Sequence, residues 1–252
     1  MIESGSTTVQ IDKGIGTLTF YHPKKNSLPG DLLKNTANEI NNLAKNDEVK
    51  VVVLRSGGDG PFCAGASFDE LMAVDSMESG RDFFMGFAGV IMAMKNCPKF
   101  VIARVHGKTV GGGVGIVAAS DYAIATNNAS IKLSELALGI GPFIIGPAVE
   151  RKIGKSAYAA MSIDADWRDA NWAKQHGLYA DVVESVEKLD NTVDDLCKKL
   201  ASFNPEAMAE LKSVFWEGTE HWEELLPKRA ETSGRLVLSD FTSKAIQAFR
   251  KT

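Results

Sequence analysis

The sequence is short of several things, and each shortage removes a class of function. Its 252 residues contain three cysteines, Cys63, Cys97 and Cys197. They are far apart and form no C-x-x-C pair, so neither a disulfide framework nor a zinc site is indicated and a reducing compartment is expected. His22, His106, His176 and His221 show no i, i+4 pairing and no neighbouring cysteine, so no metal is expected. The longest notable uncharged stretch, Leu136 to Val149, has 14 residues and two prolines, short of the roughly 18 that suggest a membrane span. Lys+Arg 28 against Asp+Glu 32 gives a net charge of −4 with no block of like charges, so a general grip on nucleic acid is not expected. The first residues hold an early acid, Glu3, and no apolar core, and the first arginine is Arg55. No secretory or mitochondrial targeting signal is therefore expected, and the chain reads as cytoplasmic.

What remains is globular: 44% hydrophobic and 24% charged, with 23 glycines against 8 prolines. Val9–Ile11 and Thr17–Tyr21 flank Asp12-Lys13-Gly14 and predict a hairpin. Leu32, Leu33, Thr36, Ile40 and Leu43 recur at helical spacing, and Val51-Val52-Val53-Leu54 reads as a strand buried on both faces. A helix around Phe68–Val74, an apolar segment Arg81–Lys95 and a strand Phe100–Val105 follow. Gly111-Gly112-Gly113 then opens an apolar helix to Ala119, and Tyr122–Ala125 is again a strand. Beyond about residue 190 the pattern turns helical, with Asn204 as N-cap and Pro205 at the first helical position. The expected architecture is α/β, with an α/β body over residues 1–190 and an all-α region over 191–252.

Two familiar motifs fail. Gly154-Lys155-Ser156 lacks the first glycine of a phosphate loop, since Val149 holds that position. Gly65-Ala66-Ser67-Phe68-Asp69 has Asp69 where a nucleophile elbow needs glycine. Phe83, Phe84, Met85, Phe87, Met92 and Met94 read as core or as the wall of an apolar pocket. One motif stays open: Gly113-Val114-Gly115-Ile116-Val117-Ala118 fits the degenerate dinucleotide fingerprint, with Glu135 twenty residues past Gly115. The small residues of Cys63-Ala64-Gly65-Ala66 and the helix start at Gly112 allow another reading. Two bare backbone N–H groups could converge on one oxygen as an oxyanion hole.

Pro61-Phe62-Cys63-Ala64-Gly65-Ala66-Ser67-Phe68-Asp69-Glu70-Leu71 and His106-Gly107-Lys108-Thr109-Val110-Gly111-Gly112-Gly113-Val114-Gly115 strongly resemble the crotonase family of enoyl-CoA hydratases and isomerases. Asp121–Ala125 and Ser134-Glu135-Leu136-Ala137-Leu138-Gly139 continue the resemblance. It implies a spiral of β-β-α turns whose C-terminal helices assemble the protein into a homotrimer or hexamer. It implies an acyl-CoA thioester as substrate, with coenzyme A part of that substrate and no separate cofactor. By the same resemblance, Ala66 and Gly112 donate to the thioester carbonyl and Glu135 is the acid/base. Lys24, Lys25 and Ala64 meet the coenzyme A, as does Ala66, and Lys244 and Phe249 reach a neighbouring subunit's ligand. The family's hydratases carry a second glutamate two residues after the triple glycine, where this sequence has Gly115. Isomerisation of 3-enoyl-CoA to 2-enoyl-CoA is therefore expected ahead of hydration in fatty-acid, branched or aromatic acyl-CoA degradation. A dinucleotide-binding protein and a non-catalytic acyl-CoA-binding protein are the readings from other classes.

Overall fold

The computed structural model describes residues 5–249, with the side chain of Phe249 outside that description. Strands β1 (Ser6–Asp12) and β2 (Ile15–Tyr21) form the expected antiparallel hairpin. Lys13 and Gly14 lie at φ 47° and 83°, a two-residue turn whose twist suits the flanking strands. Helix α1 (Gly30–Lys45) buries the five positions its period marks, and β3 (Val51–Ser56) follows. Helices α2 (Phe68–Ala73) and α3 (Met77–Asn96) lead to β4 (Val101–Val105).

From β4 to β7 the chain alternates between two sheets. β5 (Thr109–Val110) precedes α4 (Gly112–Ala119); β6 (Tyr122–Thr126) and β7 (Ser130–Lys132) precede α5 (Gly146–Ile153) and α6 (Lys155–Asp164). β8 (Arg168–Asp169), α7 (Ala170–Gln175), β9 (Asp181–Val183) and α8 (Val186–Ala201) complete the body. The large sheet has the order β1-β2-β3-β4-β6-β9, parallel except for the opening hairpin, and β5-β7-β8 make a small second sheet. Successive strands of the two sheets joined by helices make the spiral of β-β-α turns. Because side chains alternate across a strand, Val52 and Leu54 enter the main core while Val51 and Val53 meet Leu189, Val193 and Cys197 of α8 on the opposite face.

Helices α9 (Pro205–Phe215), α10 (Trp222–Val237) and α11 (Asp240–Phe249) follow. Asn204 caps α9 through its Oδ1, which accepts from Glu206 N at 2.9 Å. Lys212 of α9 is buried, and its Nζ lies 2.8 Å from Asp121 Oδ2 while donating to Met94 O and Lys99 O. Asp121 also accepts from Val101 N at 2.7 Å, so it satisfies backbone between α4 and the sheet. Helix α10 meets α3 backbone to backbone at Gly80 and Gly234. A Cβ on Gly234 would stand 2.8 Å from Arg81 N, and one on Gly80 would stand 2.8 Å from Gly234 Cα. Among the described residues no helix is long and apolar enough to cross a membrane, and no group of three or more His, Cys, Asp or Glu could hold a metal.

Candidate active site

Two loops are stitched together strand-fashion before either reaches a helix. Residues 63–67 hydrogen-bond on one edge to the loop before α1: Ala64 N donates to Lys25 O, Leu28 N to Gly65 O and Ser67 N to Leu28 O. On the other edge Cys63 N donates to Lys108 O and Val110 N to Cys63 O, at 3.2 and 2.9 Å. Gly65 is at φ +89°, and a Cβ there would stand 3.1 Å from Val110 O. The stitching holds the Cys63–Gly65 stretch against Lys108–Val110, one residue before Ala66 and one before Gly111. Among the described residues no acceptor takes the N–H of Ala66 or of Gly112, and both residues line one cavity of about 330 Å³. Gly112 is the first residue of α4, where N–H groups are unpaired and the helix dipole is positive.

Glu135 lines the same cavity. It follows β7 and starts a single 3-10 turn, Leu136–Leu138, its carbonyl accepting from Leu138 N and Ile140 N. The residue is half-buried overall, but its Oε2 is sealed from water and has no partner. Its Oε1 lies under Gly111, where a Cβ would come within 2.9 Å of it. Gly111 is also at φ +53° and donates its N–H to Lys132 O, so glycine is required there by both conformation and contact. Burial pushes the Glu135 carboxyl up to about 7, against a smaller opposing effect of the N–H groups of Glu135 and Ser134. The sequence places Leu133, Leu136 and Ile140 around it. Leu136 instead faces outward, 48% exposed, and Leu138 joins Ile140 in the wall.

The rest of the wall is apolar. Of the Phe- and Met-rich segment, Phe84 and Phe87 line the cavity, while Phe83 and Met94 belong to the core. Phe87 lies against Gly112, where a Cβ would meet its ring at 2.1 Å. A Cβ on Gly113 would stand 2.7 Å from Cys63 Cβ, and one on Gly115 would stand 2.3 Å from Ile145 Cγ2. Gly113 and Gly115 therefore serve close packing inside a buried helix, and the dinucleotide reading fails because neither faces a phosphate-sized opening.

The sequence model for enoyl-CoA hydratase/isomerase matches residues 10–250. The chain belongs to this family. It is 29% identical to the short-chain-enoyl-CoA hydratase of Clostridium acetobutylicum, over 98% of this chain and 95% of that one. It is 26% identical to the peroxisomal Delta(3,5)-Delta(2,4)-dienoyl-CoA isomerase of Arabidopsis thaliana, over 88% and 84% of the two chains. An enoyl-CoA hydratase structure from Bacillus halodurans shares the fold with a TM-score of 0.89 at 20% identity, covering 96% of this chain and 99% of that one.

For this hydratase/isomerase family member, Ala64, Ala66, Gly112 and Glu135 come together on one cavity. Lys24 and Lys25 lie on the adjoining loop outside the wall; Lys24 pairs with Asp69 of α2, and Lys25 is exposed. Lys244 is exposed on α11, also outside the wall, and the side chain of Phe249 falls outside the described residues. Helix α11 covers the turn that carries Glu135, for a Cβ on Gly139 would meet the Phe241 ring at 2.4 Å. Sequence reading misses the supports of the 141–146 loop. Tyr158 Oη donates to Pro142 O at 3.2 Å and Arg229 Nη1 to Phe143 O at 3.1 Å. These are single residues on distant helices, and no local pattern marks them. It also misses Trp167 at the cavity wall, with the Lys108 and Lys132 ammonium groups 5.2 and 5.9 Å from its ring centre.

Proposed function

We propose that this enzyme moves the double bond of a 3-enoyl-CoA thioester to the 2-position. The observation that carries this reading is a single buried carboxylate, Glu135, facing a cavity whose other candidate acid position is Gly115 with Ile145 packed into the space beside it. Hydration must hold and deprotonate a water while a proton reaches the α-carbon, a task suited to two carboxylates. Isomerisation needs one. The thioester oxygen accepts from Ala66 N–H and Gly112 N–H, the Glu135 carboxylate takes a proton from the α-carbon, and negative charge gathers on that oxygen as the enolate forms. The carboxylic acid then returns the proton to the γ-carbon, leaving the 2-enoyl thioester and the carboxylate. Each oxyanion donor of this kind is worth about 10²–10³ in rate.

A carboxyl held near neutrality suits both halves of such a shuttle. Space left by Gly115 for an ordered water or a substrate carboxylate would revive hydration, but Ile145 fills it. We place the coenzyme A along the Lys24–Lys25 loop and Ala64, and we assign Lys244 and Phe249 to a neighbouring subunit's ligand in a trimer or hexamer acting in the cytoplasm. Hydration of a 2-enoyl thioester is the competing reading, favoured by the name of the Clostridium relative. Mass spectrometry and ultraviolet absorbance on paired 3-enoyl and 2-enoyl thioesters separate the two. Isomerisation should outpace hydration, and efficient hydration of crotonyl-CoA with no detectable isomerisation would overturn the assignment.

A further inference from the structure

Within the cavity wall, away from the reacting end, one polar side chain has no partner. Ser233 of α10 is 1% exposed, lines the cavity, and its Oγ has no hydrogen-bond partner. A helical serine or threonine usually returns its hydroxyl to the carbonyl four residues earlier, and Thr36, Thr192, Ser162 and Thr232 all do so here. Ser233 does not bond to Arg229 O. Leaving a buried hydroxyl unpaired is destabilising, and Gly234, the next residue, sits directly against the α3 backbone, so the position is rigid.

The location narrows what Ser233 could meet. Phe87 lies against Gly112 at the thioester end, and the Gly80–Gly234 crossing is seven residues back along α3, about 10 Å at 1.5 Å per residue. The wall between holds Phe84 and is apolar. The charged groups of the wall are Glu135 and Lys132, the latter beside Trp167. Lys132 is the one cation in the wall, and Arg229, a turn before Ser233, lies outside the wall and is engaged with Phe143 O, so a carboxylate brought to Ser233 would be buried without a cation in the wall beside it, which is strongly unfavourable. A hydroxyl or ketone oxygen would gain a bond.

We propose that Ser233 is a specificity-determining residue that selects acyl chains carrying a neutral oxygen, hydroxyl or ketone, several carbons beyond the thioester. This rests on the proposed reaction only in placing an acyl chain in the cavity. The test is calorimetric binding of saturated acyl-CoA thioesters of increasing length to the whole protein. Each is paired with counterparts bearing one ketone, one hydroxyl or one carboxylate near the chain end. Saturated ligands cannot isomerise, so the result is independent of which reaction the enzyme performs. At the matching length the wild type should bind the ketone or hydroxyl form about tenfold or more tighter than the plain chain, with the carboxylate form weakest. Ser233→Ala should erase that preference, the ketone and hydroxyl forms then binding no tighter than the plain chain of the same length. Equal affinities across every pair in the wild type, a preference that survives in Ser233→Ala, or tightest binding of the carboxylate form would each overturn the proposal.

Discussion

Glu135 is a base only when ionised, and its surroundings oppose ionisation. With burial raising its carboxyl to about 7, kcat/KM for isomerisation should rise with pH and level off above that value. Glu135→Gln should still bind acyl-CoA while losing about 10²–10⁴-fold in turnover. The same shift acts on stability. Below the ordinary value of 4.5 the group is protonated both folded and unfolded and costs nothing. Above about 7 the folded state holds an ionised carboxylate in an apolar wall, a penalty of about 3 kcal/mol. Wild-type stability should therefore fall relative to Glu135→Gln between these limits. Urea unfolding at about pH 5 and about pH 8 should show the variant gaining by up to that amount at the higher pH; a constant difference would contradict the burial account. Glu135 was legible because it stands in a recognisable stretch. Ser233 was not, because an unpartnered hydroxyl is a property of its neighbours.

Among elements, α4 concentrates the constraints. Its glycines admit Phe87, Cys63 and Ile145 at distances that no side chain would permit, and a run of glycines in sequence does not say which neighbour each admits. If Ile145 and Gly115 together disfavour hydration, Gly115→Glu alone should be destabilised by collision with Ile145. Gly115→Glu combined with Ile145→Ala should fold and raise the ratio of hydration to isomerisation, measured as 3-hydroxyacyl product from a 2-enoyl thioester. An unchanged ratio in a folded double variant would mean that the second carboxylate is not the missing part. The hairpin at Lys13-Gly14, the buried strand β3 and the Asn204-Pro205 start of α9 could be read because each carries its own local signal. β5, β7 and β8 could not, since two or three residues are too few to show a period of two. Yet these short strands bring Gly111 to Lys132, three residues before Glu135.

For the molecule as a whole, Leu136 on the 3-10 turn and Leu238 and Phe241 around the start of α11 leave apolar side chains exposed, Phe241 at 65%. We expect this face to be covered by another copy of the chain. Light scattering at micromolar concentration should return a trimer or hexamer mass, and Phe241→Asp should lower it; a clean monomer for the wild type would count against the assembly. The Lys212–Asp121 contact carries a different consequence. A single ammonium on α9 satisfies the end of α3, the approach to β4 and the carboxylate between α4 and β6, so the C-terminal helices are not a detachable module. A chain cut before Pro205 would leave the Asp121 carboxylate and the carbonyls of Met94 and Lys99 without the ammonium that joins them, and would remove the Trp216 indole that also meets Asp121. Protease nicking in that region should therefore act on the entire fold at once, making the C-terminal helices a latch for the whole protein rather than an accessory to it.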